Sequence, residues 1–144
     1  MQARAFLQLA ERLFVSEKNP EGMRSTISRA YYAAFNVAAE FLKGIGCEVP
    51  ANPQGHELAY NYLYNCADKP LIEAGQNLHD LRGQRNDADY KLNKPQVEKE
   101  QVVRNWLDVA TDIIKRLDDC KSSAKRRADV TKAVQKYIRD RGPT

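Results

Sequence analysis

Histidine and cysteine are scarce in this 144-residue chain: two histidines, His56 and His79, and three cysteines, Cys47, Cys66 and Cys120. The cysteines are odd in number, widely separated and form no C-x-x-C pair, so neither a disulfide framework nor a zinc site is supported. Reduced thiols in a cytosol fit them best, and the expected compartment is the cytoplasm. Two histidines exclude a histidine-rich metal centre, and no metal or other cofactor is expected. No run of 18 apolar residues exists, so no membrane-spanning helix is expected. Met1-Gln2-Ala3-Arg4 leads straight into an amphipathic pattern, so no signal peptide is expected. Strand-like alternation, internal repeats and low-complexity tracts are missing too.

What is present is helical periodicity. With 42% hydrophobic and 29% charged residues the chain is long enough and apolar enough for one globular domain. Phe6, Leu9, Ala10, Leu13 and Phe14 recur at i, i+3, i+4, i+7, i+8, one buried stripe of a first helix over residues 3–18. Asn19-Pro20-Glu21-Gly22 reads as the turn that ends it. A second helix over 23–43 is apolar nearly all round, through Ile27, Ala30, Tyr31, Ala34, Ala38 and Phe41 with Tyr32, Phe35, Val37 and Leu42. Such a helix belongs at the centre of a bundle. Gly44-Ile45-Gly46 stops it, and Pro50 and Pro53 predict an extended loop.

A third helix is expected over 55–67, and a fourth from Leu71 with Pro70 at its first turn. Asn93-Lys94-Pro95 closes that region. The fifth helix has the strongest period: Val102, Trp106, Val109, Ala110, Ile113, Ile114 and Leu117. Val130, Val134, Tyr137 and Ile138 resume the pattern for a last helix, either continuous with the fifth or folded back at Ser122-Ser123. The fold class is all-α, an antiparallel bundle of five or six helices, with residues 1–120 as the bundle and 121–144 as a basic C-terminal helix or tail packed on it or extending from it.

Charge is unevenly spread. The chain carries a net +4, yet residues 121–144 hold eight Lys and Arg against two Asp, so all the excess positive charge lies there. Arg126-Arg127 and the lysine-rich helix after them suit a phosphate backbone or an acidic partner, and equally suit a solvated last helix.

The densest polar stretch is Leu78-His79-Asp80-Leu81-Arg82-Gly83-Gln84-Arg85-Asn86-Asp87-Ala88-Asp89-Tyr90. At about 100° per residue, Arg82, Asn86 and Asp89 share one stripe, Arg85 and Asp89 form an i,i+4 pair beside it, and Leu71, Leu78 and Leu81 face a core. The polar stripe is thereby steered to a cleft or a partner, or is simply a solvated face.

Three stretches together resemble one family. Ser28-Arg29-Ala30-Tyr31-Tyr32-Ala33-Ala34-Phe35 resembles the S-x-A-Y-Y-A-x-F opening of the second helix in small free-standing HEPN proteins. Gly55-His56-Glu57-Leu58 resembles the histidine-bearing start of their third helix, and Arg85-Asn86-Asp87-Ala88-Asp89-Tyr90 the R-x-x-A-D-Y ending of their fourth. Order and spacing agree over roughly residues 3–118; the basic tail lies outside.

The resemblance implies a bundle that dimerises by pairing its second and fourth helices. It also implies metal-independent RNA cleavage by an R-x4-6-H motif, in toxin–antitoxin or antiviral systems with a nucleotidyltransferase-type partner. Carried over by position, the catalytic candidates are Arg85, Asn86 and Tyr90, where Tyr90 stands in place of the motif histidine.

That departure has chemical weight. Attack of a 2′-hydroxyl on the adjacent phosphodiester needs a base, an acid for the leaving 5′-oxygen, and positive charge on the phosphate oxygens. Arg85 can supply the charge in bidentate form. A tyrosine titrates near 10 and is a poor proton acceptor at neutral pH, whereas a histidine near 6.5 serves as acid or base. Five residues on a straight helix also put Arg85 and Tyr90 about 140° apart, so they meet only if the helix ends there or across a two-fold interface.

Arg82, Arg126 and Arg127 are candidates for phosphate or RNA binding, and His79 and Asp89 for assisting roles. His56 is expected to cap or pack, with an active-site role as the alternative; Tyr31 and Tyr32 belong to the core, one of them available to line a dimer cleft. The expected function is RNA-directed: an endoribonuclease working as a homodimer, or a non-catalytic module that binds nucleic acid, a nucleotide or a nucleotidyltransferase partner. A plain helical interaction module is the third alternative.

Overall fold

The computed structural model describes residues 2–142, and in these every regular element is helical. In chain order they are α1 (Arg4–Ser16), α2 (Pro20–Gly44), α3 (Pro53–Tyr64), α4 (Lys69–Tyr90), a 3-10 turn (Pro95–Glu98), α5 (Glu100–Ser122) and α6 (Ala124–Arg141). The all-α bundle expected from the periodicity is the architecture found. No helix among the described residues is long and apolar enough to cross a membrane.

The near-continuous apolar surface of α2 puts it in the middle, packed on α1, α4 and α5. Ala30, Ala33, Ala34 and Ala38 have no exposed surface, and their small side chains let the neighbouring helices close on the α2 backbone. Tyr31, Ile27 and Leu42 fill the space between, at 1% exposure or less. On α4, Leu71, Leu78 and Leu81 are buried as expected.

One sequence device starts two of the helices. Asn19-Pro20-Glu21-Gly22 does not merely end α1: the Asn19 side chain accepts a hydrogen bond from the Gly22 amide and Pro20 opens α2. Asn52-Pro53-Gln54-Gly55 repeats the arrangement, with Asn52 accepting from Gly55, so Pro53 begins α3 where an extended loop was expected. Asp68 caps α4 in the same way, with proline in its first turn. A Cβ on Gly55 would lie 2.0 Å from the Pro50 carbonyl oxygen, so only glycine lets the loop fold back on the helix start. We expect Gly55→Ala to cost about 1–3 kcal/mol in urea denaturation, and an unchanged midpoint would contradict this packing.

The contacts run antiparallel. Glu57 meets Arg82, Tyr60 meets His79 and Leu63 meets Gly75, so α3 and α4 ascend in opposite senses. Ser28 with Asp89 and Tyr31 with Arg85 set α2 against α4 likewise. Between the α1 region and α5 stands a ladder of ion pairs: Arg4 with Asp118, Glu11 with Arg104, and Lys18 with Glu100.

On α5 the buried stripe is centred on Val103, Leu107, Ala110, Ile113, Leu117 and Cys120. Val102, Trp106 and Val109 are only partly buried, because α5 is wedged against α1, α2 and α4 and needs a wider apolar face than one seam. The chain changes direction at Ser123, whose extended backbone ends α5 and whose side chain caps α6. Val130 and Val134 bury α6 on the bundle, and Tyr137 meets Tyr62 edge to face.

Candidate functional site

The three stretches singled out in the sequence come together in one place. From α2, Ser28 Oγ donates to Asp89 Oδ2 at 3.2 Å, and the Tyr31 hydroxyl donates to His56 Nδ1. From α3, Glu57 accepts from Arg82 at 3.0 Å. The Arg85 guanidinium carbon lies 5.3 Å from the ring centres of both Tyr31 and Tyr32 and 5.9 Å from that of Tyr90. Each cation over an aromatic face is worth about 0.5–2 kcal/mol depending on desolvation.

These side chains wall an open groove of about 420 Å³. Tyr32 and Phe35 come from α2, Pro50 to Asn52 from the loop, Pro53 and His56 from α3, and Arg82, Arg85, Asn86 and Tyr90 from α4. Tyr90 is the last residue of α4 and is 73% exposed, so the helix end brings it over Arg85 despite the 140° helical offset.

Both arginines keep an unpaired donor. Arg85 is 7% exposed, and its one acidic partner, Asp89, stands at 3.7 Å, too far for a direct hydrogen bond. Nε of Arg85 and Nε of Arg82 are, among the described residues, the two buried side-chain nitrogen or oxygen atoms without a hydrogen-bond partner. A buried donor left unpaired costs about 1–3 kcal/mol, so each guanidinium carries one unsatisfied N–H, that of Arg82 beside its hydrogen bond to Glu57.

His56 lies half-buried against them, stacked 4.1 Å from Phe35 and 5.6 Å from Tyr31, ring centre to ring centre. Desolvation, then the positive charges of Arg82 and Arg85, push its pKa down to about 4. Burial pushes the Tyr31 hydroxyl well above its ordinary value, so it keeps its proton and donates. His56 is therefore neutral at pH 7, with Nδ1 accepting and Nε2 carrying the hydrogen.

An unfolded chain protonates this ring near pH 6.5 and the folded one only near 4. Stability is therefore intact above pH 6.5 and falls as the pH drops from there towards 4. The ring faces an open groove, and solvent screening reduces the effect to about 1 kcal/mol. Wild type should lose that much more stability than His56→Asn between pH 7 and pH 4.5 in urea denaturation; equal losses would contradict the assignment.

Of the other residues proposed from sequence, Asn86 lines the groove and Asp89 holds Arg85 while accepting from Ser28. His79 is not brought into it: its exposed ring packs 4.5 Å from Tyr60, on the next turn of the α3–α4 contact. Arg126 makes two 2.9 Å hydrogen bonds to Asp68, and these hold the Asp68 carboxyl below its ordinary range. Arg127 donates to the Lys121 carbonyl. Both lie on α6, apart from the groove, and Arg126 ties α6 to the start of α4. Tyr31 is core and Tyr32 lines the groove. Among the described residues no cluster of histidine, cysteine and acidic side chains could hold a metal ion.

Sequence reasoning missed Arg24. Its Nε donates to Glu98 at 2.7 Å, and its two terminal nitrogens donate to the carbonyls of Asp87, Ala88, Lys91, Leu92 and Lys94 at 3.0–3.3 Å. One buried guanidinium thus satisfies the last carbonyls of α4 and the loop beyond, and fixes the helix end that carries Asp89 and Tyr90. The available signal was position: Arg24 stands seven residues before Tyr31, on the buried face of α2.

Compared with protein-family models, with curated proteins and with solved structures, the chain matches none. The site must be read from its own chemistry.

Proposed function

We propose that the groove holds an RNA phosphodiester, and that the chain is a HEPN-type RNA-binding protein working as a homodimer. The observation that carries this reading is the convergence of two guanidinium groups, Arg82 and Arg85, on one open groove. A phosphate offers several acceptor oxygens and a further negative charge beside Glu57 and Asp89, and a guanidinium binds it through paired hydrogen bonds. Asn86 adds an amide donor, and the exposed Tyr90 ring offers a base a stacking surface. Leu92, 83% exposed beside Tyr90, gives the same edge an apolar contact for a second copy. The family resemblance favours RNA over other phosphates, and makes a nucleotidyltransferase-type protein the companion to look for.

Metal-independent cleavage is the second reading, and His56 favours it. The R-x4-6-H spacing ends in Tyr90, yet a histidine from α3 lines the same groove. In that reaction the 2′-hydroxyl attacks phosphorus, the bond to the 5′-oxygen breaks, and a 2′,3′-cyclic phosphate and a 5′-hydroxyl result. Arg82 and Arg85 would balance the charge on the phosphorane oxygens.

The test is a gel-shift series with a single-stranded oligoribonucleotide in chelator. Binding should weaken steeply with salt, by a slope of about −0.7 per phosphate contact. No shift at low salt would reject the proposal, and cyclic-phosphate products in chelator would select the second reading.

A further inference from the structure

We propose that His56 is a third ligand of the bound phosphate and that the groove takes up a proton at this imidazole as the phosphate enters, an inference that rests on the phosphodiester reading above. Geometry carries it. His56 lines the same groove as Arg82 and Arg85, its ring fixed by stacking on Phe35 and by the Tyr31 hydroxyl. With Nδ1 occupied by Tyr31, Nε2–H is its remaining donor.

The titratable and charged groups around it are few. From α2 there are Tyr31 and Tyr32; from α4, Arg82, Arg85 and Tyr90, with Asp89 paired to Arg85; on its own helix, Glu57, which is engaged by Arg82. None of the carboxylates is hydrogen-bonded to the ring. In the empty groove the two guanidinium charges oppose a third positive charge, and the ring stays neutral. A phosphodiester cancels that opposition, and its own charge does not change between pH 5 and 8. The imidazolium then becomes the favoured form, with Nε2–H donating to a phosphate oxygen and Nδ1–H donating to the Tyr31 oxygen. Tyr31 cannot supply the proton, because burial holds it on the hydroxyl. It comes from solvent through the open side of the groove.

Coupling of this kind is reciprocal: if phosphate binding favours the proton, acid favours phosphate binding. Restoring the ring to the ordinary histidine value on binding makes affinity about tenfold greater at pH 5.5 than at pH 7.5.

The experiment is calorimetric titration of the full chain with a 2′-O-methyl hexanucleotide, which cannot be cleaved, at pH 5.5 and 7.5 in two buffers of different ionisation heat. Wild type should bind about tenfold tighter at pH 5.5 and take up close to one proton there. His56→Asn, which can still accept from Tyr31, and His56→Gln, which keeps an outer donor, should bind with no pH dependence and no proton uptake. His79→Asn should behave as wild type. Circular dichroism checks that each variant is folded. Wild-type binding that is flat in pH, or pH dependence that survives in both His56 variants or vanishes in His79→Asn, overturns the role of His56 and leaves the groove reading standing. No binding by wild type at either pH overturns the groove reading and this inference with it.

Discussion

Replacing Arg24 by methionine is expected to destabilise the protein by about 3–5 kcal/mol, the cost of stranding the partners of a buried charge. Methionine restores the volume of the arginine stem, so the loss isolates the guanidinium. What it strands is specific: five carbonyls between Asp87 and Lys94, and the carboxylate of Glu98. The carbonyls of Leu92 and Lys94 lie on an exposed loop and can turn to water, whereas those of Asp87 and Ala88 end a helix whose Ala88 is buried. The loss is therefore concentrated at the close of α4. Urea denaturation measures the total, and amide exchange should quicken at residues 88–94 before the rest of the bundle. A destabilisation below 1 kcal/mol would show that water replaces Arg24 without penalty.

Arg85→Ala is expected to lower affinity for a single-stranded oligoribonucleotide by about 10- to 100-fold, the worth of charge-assisted hydrogen bonds. The salt dependence should flatten by about one phosphate contact, about 0.7 in slope. Arg85→Lys separates charge from geometry: it keeps the positive charge but loses the planar fork and its contacts with the Tyr31 and Tyr32 rings, so its affinity should fall between the two. Arg126→Gln, by contrast, should weaken the α6 tie to Asp68 and leave RNA affinity within about twofold, since Arg126 already has its carboxylate. Arg85→Ala binding with wild-type affinity and salt slope would remove the phosphate from the groove.

How much of this could be read from residues alone differs from element to element. The central place of α2 was legible because a helix apolar on every side has nowhere else to go. Asn19-Pro20-Glu21-Gly22 was read as a turn and is a helix start, because capping residues and turn residues are the same residues. What decides between them is the packing of Glu17 against Gly22, which local pattern does not carry. Helical spacing put Arg82 and Asn86 on one stripe with Arg85 beside it, and left open whether that stripe faces a cleft, a partner or solvent. The weight of His56 over His79 was not legible: His56 stacks on Tyr31 and Phe35 of α2 where the residues from Pro50 to Pro53 help to make a groove, whereas His79 packs on Tyr60 outside it. The one local signal of Arg24 was its place on the buried face of α2; its partners lie more than sixty residues away and leave no pattern near it.

The ladder along α1 and α5 has its own consequence. No rung, being exposed or half-buried at the surface, is worth more than about 1 kcal/mol. Their signs, however, alternate: positive, negative, positive at Arg4, Glu11 and Lys18 against negative, positive, negative on α5. Sliding the first helix by seven residues in one direction sets Glu11 on Asp118 and Lys18 on Arg104; sliding it the other way sets Arg4 on Arg104 and Glu11 on Glu100. Every misaligned pairing is repulsive, so the weak rungs act as a vernier that admits one register and rejects its neighbours on both sides.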